Sequence, residues 1–221
     1  MMKKYLNIFV NGLLAGICIS IGGWVFVRLQ SDNFMMAQLN APLMFAIALT
    51  LICFNRFYLY TGKICYLFDK DQESIKSKLL SLGIGLISNY IGVFLVSLLI
   101  KISFETIAVT DATKLTRYVS ELITSKVTLT WYDCLIRGFF CGLLVYFAVD
   151  SYKLSENKIV GLIILIMCVM TFILCGFEHS IADMFYLSLD NTVSLQSICN
   201  ILLIILGNSL GGLFIPLLKK V

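Results

Sequence analysis

The sequence predicts an all-α integral membrane protein in which residues 1–221 form a single transmembrane domain. The first observation behind this prediction is composition: 59% of the 221 residues are hydrophobic and only 14% are charged, whereas a soluble domain carries about 25% charged residues. The second is a mean hydropathy of +0.93, with long stretches that contain little or no charge. Too few polar residues are present to coat a soluble globule, which excludes a large catalytic domain outside the membrane within this sequence.

Six apolar stretches account for most of the chain. They are 5–27, 33–55, 79–100, 127–149, 159–177 and 191–218. A helix of about 20 residues crosses the ~30 Å hydrocarbon core, so we predict six transmembrane helices. Between the third and fourth, Lys114 and Arg117 fall in an outer loop. Lysine and arginine are more frequent at the span ends on the side of both termini, which predicts that both termini are cytoplasmic.

The second and fifth stretches differ from ordinary transmembrane helices. The second contains two cations and a glycine within 55–63, and the fifth contains a glycine and several polar or titratable residues within 176–183. Nonhelical backbone at membrane depth is tolerated only where protein buries it or where it lines a wet cavity. We therefore predict two broken helices. The alternative is two continuous helices that contain glycine and incidental polar residues.

The two breaks occupy corresponding positions in two halves of the chain, approximately 5–101 and 127–219. The first span of each half also carries a GxxxG pattern, at 12–16 and at 138–142, and such small residues let membrane helices approach closely. Three spans per half place the halves in opposite orientations, which predicts an inverted 3+3 repeat. Interrupted segments at equivalent positions of such a repeat indicate a binding or conduction site near the membrane midplane.

His179 is the single histidine of the chain, and it lies in the break of the fifth span. An ionisable residue at membrane depth is a functional hypothesis by default, and histidine can exchange a proton near neutral pH. The alternative is a neutral histidine that only satisfies the backbone of the broken helix. The sequence contains no HExxH, GxSxG or P-loop pattern, and its eight cysteines form no CxxC pair. We therefore expect no enzyme activity, metal site or cofactor.

Four segments together resemble the formate/nitrite transporter family. Residues 176–185, GFEHSIADMF, are similar to its GFEHSxANMF signature, and residues 59–62, LYTG, to its LFTG loop. Residues 137–149 resemble its fourth-helix RGxxCNxLVxxAV motif, and Asn200 with 207–212 resembles its last-helix N…GNxxGG motif. The resemblance covers all six spans. It implies an aquaporin-like protomer and a homopentamer, with one pore per protomer for a small monovalent anion such as formate, nitrite or hydrosulfide.

The resemblance also implies a role for six residues along the pore. They are the central histidine His179, the loop threonine Thr61, the constricting phenylalanines Phe45 and Phe172, the inner leucine Leu59 and the outer lysine Lys126, which would draw anions into the vestibule. We expect His179 at the end of an aqueous vestibule and between the rings of Phe45 and Phe172. An anion loses much more hydration than a neutral acid in a dry constriction, so the protonated form of the substrate would pass more easily.

The chain also departs from the family pattern. Lys63 and Asp183 stand where the family usually carries asparagine, and Arg56, Tyr58 and Gly142 are further departures. An inverted repeat brings the two broken segments together, and a lone buried charge is costly, so we predict that Lys63 and Asp183 form an ion pair. In the alternative, Lys63 extends toward the cytoplasmic side and Asp183 caps the short helix beside it.

The sequence therefore predicts a channel or transporter for a small monovalent anion, or its conjugate acid, in the cell membrane. The alternative is a non-conducting membrane protein that keeps the same fold for binding or sensing, which the charged departures in both broken helices favour. The expected partners are the anion, the lipid bilayer and further copies of the chain in a homopentamer. No nucleic acid partner is expected.

Overall fold

The computed structural model describes residues 2–32, 36–70, 72–106, 112–190 and 194–220, and of 104–106 and 112–113 it describes the backbone alone. All regular structure in these ranges is helical. The α-helices are α1 (Met2–Ser31), α2 (Ala37–Phe45), α3 (Ile47–Asn55), α4 (Tyr60–Lys63), α5 (Ile75–Thr106), α6 (Ala112–Val127), α7 (Trp131–Leu154), α8 (Lys158–Leu174), α9 (Ser180–Ser188) and α10 (Leu195–Leu218). A 3₁₀ turn at Ile64–Tyr66 follows α4 directly.

Five of the described helical segments are long and apolar enough to cross a membrane, judged by length and composition. They are Met2–Ser31, Ala37–Asn55, Ile75–Ser103, Trp131–Leu154 and Leu195–Leu218. Helix α8 is apolar but has only 17 residues, which is short of the ~20 that a span takes. Large apolar side chains cover the outside of the molecule; Leu99, for example, is 65% exposed and Met167 is 62% exposed. This outer surface is suited to lipid.

Two stretches of nonhelical backbone interrupt the helices, at 56–59 and at 175–179. Each has a residue in the left-handed region at or next to its start, Arg56 with φ 58° and Gly176 with φ 67°. In each, the N–H of the next residue, Phe57 or Phe177, bonds to the carbonyl five residues earlier. This hydrogen bond is the typical closure of a helix that ends in a left-handed residue. The chain is helical again from α4 and from α9.

Asn89 on α5 holds the first nonhelical stretch. Its side-chain oxygen accepts a hydrogen bond from the backbone N–H of Tyr60 at 2.9 Å. Its amide nitrogen donates to the carbonyls of Tyr58 and Gly12, both at 2.8 Å. The amide thus joins α1 and α5 to the start of α4, and it satisfies backbone groups that a helix would otherwise pair.

Asn208 on α10 does the same for the second stretch. Its side-chain oxygen accepts from the N–H of Ser180 at 2.9 Å, and its amide nitrogen donates to the carbonyls of Glu178 and Gly138, both at 2.8 Å. Buried backbone groups that lack partners are costly. The nonhelical backbone is therefore stable here because α7 and α10 surround it.

The GxxxG glycines explain how these asparagines come so close. Helix α1 packs mainly on α5, and α7 mainly on α10. A Cβ atom at Gly16 would overlap the carbonyl oxygen of Asn89, and one at Gly142 would overlap the carbonyl oxygen of Asn208. Both contacts require a residue without a side chain, as expected for close packing of membrane helices.

Helix α6 corrects the prediction of an outer loop between the third and fourth spans. It buries Leu115 and Ile123, while the side chains of Arg117 and Glu121 are 81% and 68% exposed. Apolar residues recur with the spacing of one helix face, which is the pattern of an amphipathic surface helix. The prediction was wrong because it rested on the charges of this segment and did not consider their spacing.

Both termini lie at the same end of the molecule, which we call the terminal end. There, Lys4 pairs with Glu73 near the start of α5, and Lys220 donates to the carbonyl of Phe68. The opposite end, which we call the distal end, contains the contact between Lys101 Nζ and the carbonyl of Asp190 at 3.3 Å. These two ends define the direction of any path through the molecule.

Candidate functional site

The two interrupted segments meet through Thr61 and His179. Thr61 Oγ1 lies 2.9 Å from His179 Nε2, and the two residues are 0% and 4% exposed. Thr61 is in the first turn of α4, and His179 is the residue that precedes α9. The starts of the two short helices therefore face each other inside the protein. This contact joins the loop threonine and the histidine that the family resemblance singled out.

The hydrogen bonds of His179 fix its tautomer when the ring is neutral. Its Nδ1 accepts the backbone N–H of Ala182 at 3.2 Å, so the imidazole caps α9. A nitrogen that accepts a hydrogen bond carries no proton, and the proton of a neutral ring is therefore on Nε2, where it donates to Thr61 Oγ1. A doubly protonated imidazolium would place an N–H against the N–H of Ala182. The alternative derived from sequence, a neutral histidine that satisfies backbone, matches this contact.

Phe45 and Phe172 form one aromatic pair. Their ring centroids are 6.3 Å apart in an edge-to-face arrangement, and the ring of Phe172 stacks on His179 with centroids 5.9 Å apart. The expectation that His179 lies between the two rings is therefore wrong. Because α2 and α8 pack against each other, the two phenylalanines meet across that helix contact, and Phe172 is the one that stacks on the histidine.

Leu59 is the last residue of the first nonhelical stretch. It immediately precedes α4 and is only 2% exposed. Together with Ile52 and Gly62 it lines a cavity of about 490 Å³. The cavity also includes Lys153 and Lys158 at the end of α7 and the start of α8. His179 is not among the residues that line this cavity, so a layer of side chains separates the two.

Lys126 is the centre of a buried charge cluster near the distal end. Its ammonium pairs with the carboxylate of Glu178 and lies 3.1 Å from Oδ1 of Asp183. The side chains of Lys126, Glu178 and Asp183 are 15%, 5% and 2% exposed. With both carboxyl groups ionised, the cluster has one negative charge in excess. The lysine that the resemblance assigns to anion attraction is thus offset by two carboxylates.

The predicted ion pair between Lys63 and Asp183 is wrong. Asp183 pairs with Lys126 instead, while Lys63 Nζ lies 5.8 Å from the ring centroid of Tyr58 and lines the cavity at the terminal end. The reason is the direction of the short helices. They start at the Thr61–His179 contact and lead away from it, so residues further along α4 and α9 separate. Of the alternative, the part in which Lys63 extends toward the side of the termini matches its position. The part in which Asp183 caps the short helix is wrong, because His179 is the N-cap of α9.

Two buried polar atoms near His179 have no hydrogen-bond partner among the described residues. They are Ser180 Oγ and Asp183 Oδ2. Each such atom costs about 1–3 kcal/mol relative to a bonded one. Both belong to α9, beside the histidine and the charge cluster, so the site has spare hydrogen-bonding capacity.

Reasoning from sequence did not assign a role to Asn89 or Glu178. Asn89 was detectable as a lone amide inside the apolar stretch 79–100, since a polar residue at that depth needs partners. Glu178 is part of the quoted signature, and its signal was a second ionisable residue directly beside His179 at membrane depth. Among the described residues, no group of three or more His, Cys, Asp and Glu side chains is arranged to hold a metal ion.

Comparison with known proteins places this architecture in a family. The sequence profile of the formate/nitrite transporters matches residues 1–220. The chain belongs to the formate/nitrite transporter family. This result confirms the resemblance found in the four sequence motifs. The family consists of channels and transporters, which also confirms that the chain is not expected to be an enzyme.

Two curated relatives match most of the chain at low identity. A formate-nitrite transporter of Entamoeba histolytica is 24% identical over 226 residues, which cover 95% of this chain and 62% of the relative. The formate channel FocA of Haemophilus influenzae is 22% identical over 183 residues, which cover 80% of this chain and 64% of the relative. The matched residues thus span less than two thirds of the length of either relative.

Solved structures share the fold across nearly the whole chain. An FNT family ion channel superimposes with a TM-score of 0.85 at 24% identity, covering 97% of this chain and 89% of that one. A pentameric formate channel with formate bound superimposes with a TM-score of 0.87 at 21% identity, covering 99% and 97%. The all-helical membrane architecture predicted from sequence is therefore that of these channels.

Proposed function

We propose that this member of the formate/nitrite transporter family conducts small monovalent anions, or their conjugate acids, across the cell membrane. Formate, nitrite and hydrosulfide are the proposed substrates. The observation that carries the proposal is the buried contact between Thr61 and His179. It puts two exchangeable hydrogen-bonding groups where two interrupted spans meet, with apolar side chains on either side.

The proposed path runs from the distal end past Phe45 and Phe172 to His179, then past Leu59 to the cavity at the terminal end. All four side chains are at most 4% exposed, so the path is dry and closed at both constrictions in this conformation. An ion that enters such a region loses hydration worth many kcal/mol, whereas a neutral acid loses much less. We therefore propose that the protonated form crosses the apolar constrictions.

In this scheme, His179 acts as a neutral hydrogen-bond donor. Its Nε2–H and the hydroxyl of Thr61 bond to each other, and both would exchange this bond for one to a permeating molecule. Direct donation of a proton from an imidazolium would first require Nδ1 to lose its bond from Ala182. Ser180 Oγ, next to the histidine, has no hydrogen-bond partner among the described residues. This free hydroxyl also supports binding of a polar permeant beside His179.

The cluster of Lys126, Glu178 and Asp183 would control access from the distal end. Because the two carboxylates offset the lysine, we propose that this chain attracts anions only weakly and relies on the neutral acid. Asp183 is the residue that creates the excess negative charge, since Lys126 and Glu178 alone form a neutral pair. Charges this close interact by about 1 kcal/mol even in a water-like dielectric.

We also propose a homopentamer of aquaporin-like protomers, with six spans in an inverted 3+3 repeat and both termini in the cytoplasm. The matching hydrogen bonds of Asn89 and Asn208 support the repeat, as do the left-handed residues Arg56 and Gly176. A structural neighbour described as a pentameric formate channel supports the assembly. The excess of lysine and arginine at the terminal end supports the orientation.

Flux through proteoliposomes tests this function. The purified chain is reconstituted, and formate, nitrite and hydrosulfide are compared side by side with empty liposomes. Passage of at least one of them, lost in His179→Ala, is the expected result. No passage of any of the three would contradict the proposal. It would favour the second candidate, a non-conducting binding or sensing protein. The charged departures from the family pattern at Arg56, Lys63 and Asp183 already favour that candidate.

A further inference from the structure

The cavity at the terminal end is larger than a small monovalent anion needs for passage, and its lining carries more positive charge than such an anion needs. Its volume of about 490 Å³ falls in the range of roughly 300–1,000 Å³ that holds small-molecule ligands. Four of its lining residues are cationic, and none is acidic: Arg56, Lys63, Lys153 and Lys158. They come from the nonhelical stretch after α3, from α4, and from the junction of α7 and α8.

Lys63 is the least exposed of these cations. It is half-buried and forms no ion pair with a described residue. It lines the same cavity as Lys153, so two positive charges face the same space. The carboxylate of Asp150 on α7 does not line the cavity; it accepts the hydroxyls of Tyr66 and Tyr146 at 3.5 and 3.0 Å. Like charges held together at a partly buried site are unfavourable, so an anion between them would relieve the repulsion.

A second, smaller cavity of about 170 Å³ also touches Lys63, and it includes the carboxylate of Glu73. That carboxylate is already bonded by Lys4 and by the hydroxyl of Ser77. The charge of Glu73 is therefore balanced by Lys4 at the surface, and Glu73 does not line the larger cavity.

Arg56 adds an observation that packing alone does not explain. It occupies the left-handed region with φ 58°, where the corresponding residue of the other interrupted segment is Gly176. A residue with a side chain costs about 1–2 kcal/mol in this conformation, and glycine avoids that cost. The chain therefore accepts backbone strain at the position that brings a guanidinium to the cavity, which is typical of functional sites.

Aromatic rings complete the lining. Lys153 Nζ lies 4.0 Å from the ring centroid of Tyr66, and the rings of Phe54 and Tyr152 are 5.4 Å apart. Guanidinium and ammonium groups around an oxyanion, with aromatic walls, suit a phosphate group carried on a larger molecule. A monovalent permeant would use only a fraction of this charge.

We propose that this cavity binds a phosphate-bearing anion with two or more negative charges. Bound there, the anion lies beneath Leu59 and Gly62 and closes the terminal end of the path. Binding itself is independent of transport, whereas the block of transport rests on the proposed function. The shared chemistry, a multiply charged phosphate, is found both in soluble phosphate compounds and in the headgroup of phosphatidic acid.

Isothermal titration of the purified full chain in detergent with inorganic pyrophosphate tests the site, with sodium chloride as the monovalent comparison. We expect saturable binding that weakens as ionic strength rises. Lys63→Met and Arg56→Gly should each weaken it about tenfold or more, since each removes a charge-assisted hydrogen bond. Lys3→Met is the matched control, because Lys3 is exposed at the same end and does not line the cavity. It should change the affinity by less than about twofold.

Arg56→Gly separates binding from folding. Without ligand, this variant should melt at a higher temperature, because glycine relieves the left-handed strain. With pyrophosphate, it should gain less stability than the unchanged chain. Pyrophosphate that binds no better than chloride would overturn the proposal, and so would a loss in Lys3→Met equal to that in Lys63→Met.

Two further arms identify the occupant and its effect. Pyrophosphate affinity is measured in phosphatidylcholine nanodiscs that contain either phosphatidic acid or phosphatidylserine at equal surface charge. A lower affinity with phosphatidic acid than with phosphatidylserine indicates that a lipid headgroup occupies the site. Equal affinity in both indicates a soluble phosphate. In proteoliposomes, pyrophosphate on the terminal side should inhibit formate flux in the unchanged chain and not in Lys63→Met. Absent flux with intact pyrophosphate binding would refute the proposed function alone. Normal flux without pyrophosphate binding would refute the cavity site alone.

Discussion

Asn89 and Asn208 make the same three hydrogen bonds to the two interrupted segments. Each side-chain oxygen accepts the first N–H of a short helix, and each amide nitrogen donates to two backbone carbonyls. Both residues are 0% exposed. An asparagine amide has one acceptor oxygen and two N–H donors, and each of these three groups is engaged in both residues. They allow nonhelical backbone to persist where no water can satisfy it.

Replacing either asparagine by leucine should destabilise the fold more than any single hydrogen bond would suggest. In Asn208→Leu, the N–H of Ser180 and the carbonyls of Glu178 and Gly138 lose their partner, at about 1 kcal/mol or more for each buried group. We expect a loss of at least ~3 kcal/mol in unfolding free energy, seen as a large drop in melting temperature in detergent. Asn89→Leu should behave alike.

The matched control for this experiment is Asn55→Leu. Asn55 is exposed, and its amide bonds only to the carbonyl of Leu51 within the same helix. Its replacement should cost less than about 1 kcal/mol. If Asn208→Leu and Asn55→Leu melt at the same temperature, the asparagine is not what holds the interrupted segment.

Substitutions of His179 should separate capping from transport. His179→Asn keeps a side-chain acceptor for the N–H of Ala182, and asparagine is among the best N-cap residues, whereas His179→Ala removes the cap at a cost of about 1 kcal/mol. We expect Asn to retain nearly full thermal stability and Ala to melt lower. Both should lose formate flux, because neither presents an imidazole N–H to the permeant. Thermal melts and proteoliposome flux measure the two effects independently.

Retention of flux in His179→Asn would show that only the cap matters and would remove the histidine from the proposed mechanism. A variant that fails to assemble is recognised by size-exclusion chromatography before flux is measured. The pH profile provides a further test: if the residual flux of His179→Asn follows the same pH dependence as the unchanged chain, the imidazole does not set that dependence.

Much of the fold could be predicted from the sequence because hydrophobicity and glycine have strong local signatures. The apolar stretches identify the long helices, and Gly176 marks the end of α8 since glycine adopts the left-handed conformation at little cost. Arg56 performs the same turn without glycine, so its backbone conformation could not be read from its residue type. The amphipathic helix α6 was missed although Leu115 and Ile123 carry its spacing.

The partners of charged residues were harder to predict, because they depend on which way each short helix leads. Pairing Lys63 with Asp183 required the two loops to meet at these residues. They meet instead at Thr61 and His179, and helices α4 and α9 lead away from each other beyond this contact. Helix α6 brings Lys126 to Asp183, and this helix was not predicted from the sequence.

This arrangement predicts independent effects for Lys63 and Asp183. Lys63→Asn and Asp183→Asn should change stability additively, within about 0.5 kcal/mol, because the two side chains share no partner. A double-mutant cycle of thermal or denaturant unfolding in detergent measures this. A coupling energy above about 1 kcal/mol would contradict this prediction and would indicate that Lys63 and Asp183 do interact.

Phe45 and Phe172 should act as one constriction. Phe172→Ala removes the ring that touches both Phe45 and His179, and it should raise leakage of the ionised substrate by opening the dry segment. It should also cost about 3–5 kcal/mol of stability, as for a buried phenylalanine. Phe45→Ala should give a similar flux, and the double variant should add little. Phe214→Ala, at a 43% exposed position, is the control and should leave flux unchanged.

Asp183→Asn should increase the flux of anions. The substitution keeps the size of the side chain and leaves Lys126 paired with Glu178, so the cluster changes from one excess negative charge to none. An anion near the cluster then avoids a repulsion of about 1 kcal/mol at water-like dielectric, which corresponds to roughly a fivefold gain in rate or apparent affinity. Formate flux in proteoliposomes at neutral pH, where the substrate is ionised, is the measurement.

Glu121→Gln controls for the general loss of a negative charge, because Glu121 lies on the same helix as Lys126 but its side chain is 68% exposed. Water and salt screen it, so its removal should leave flux nearly unchanged. The gain in Asp183→Asn should also shrink at acidic pH, where the permeant is already neutral and no longer feels the charge. Equal flux in Asp183→Asn and the unchanged chain at neutral pH would mean that Asp183 holds a proton there and exerts no repulsion.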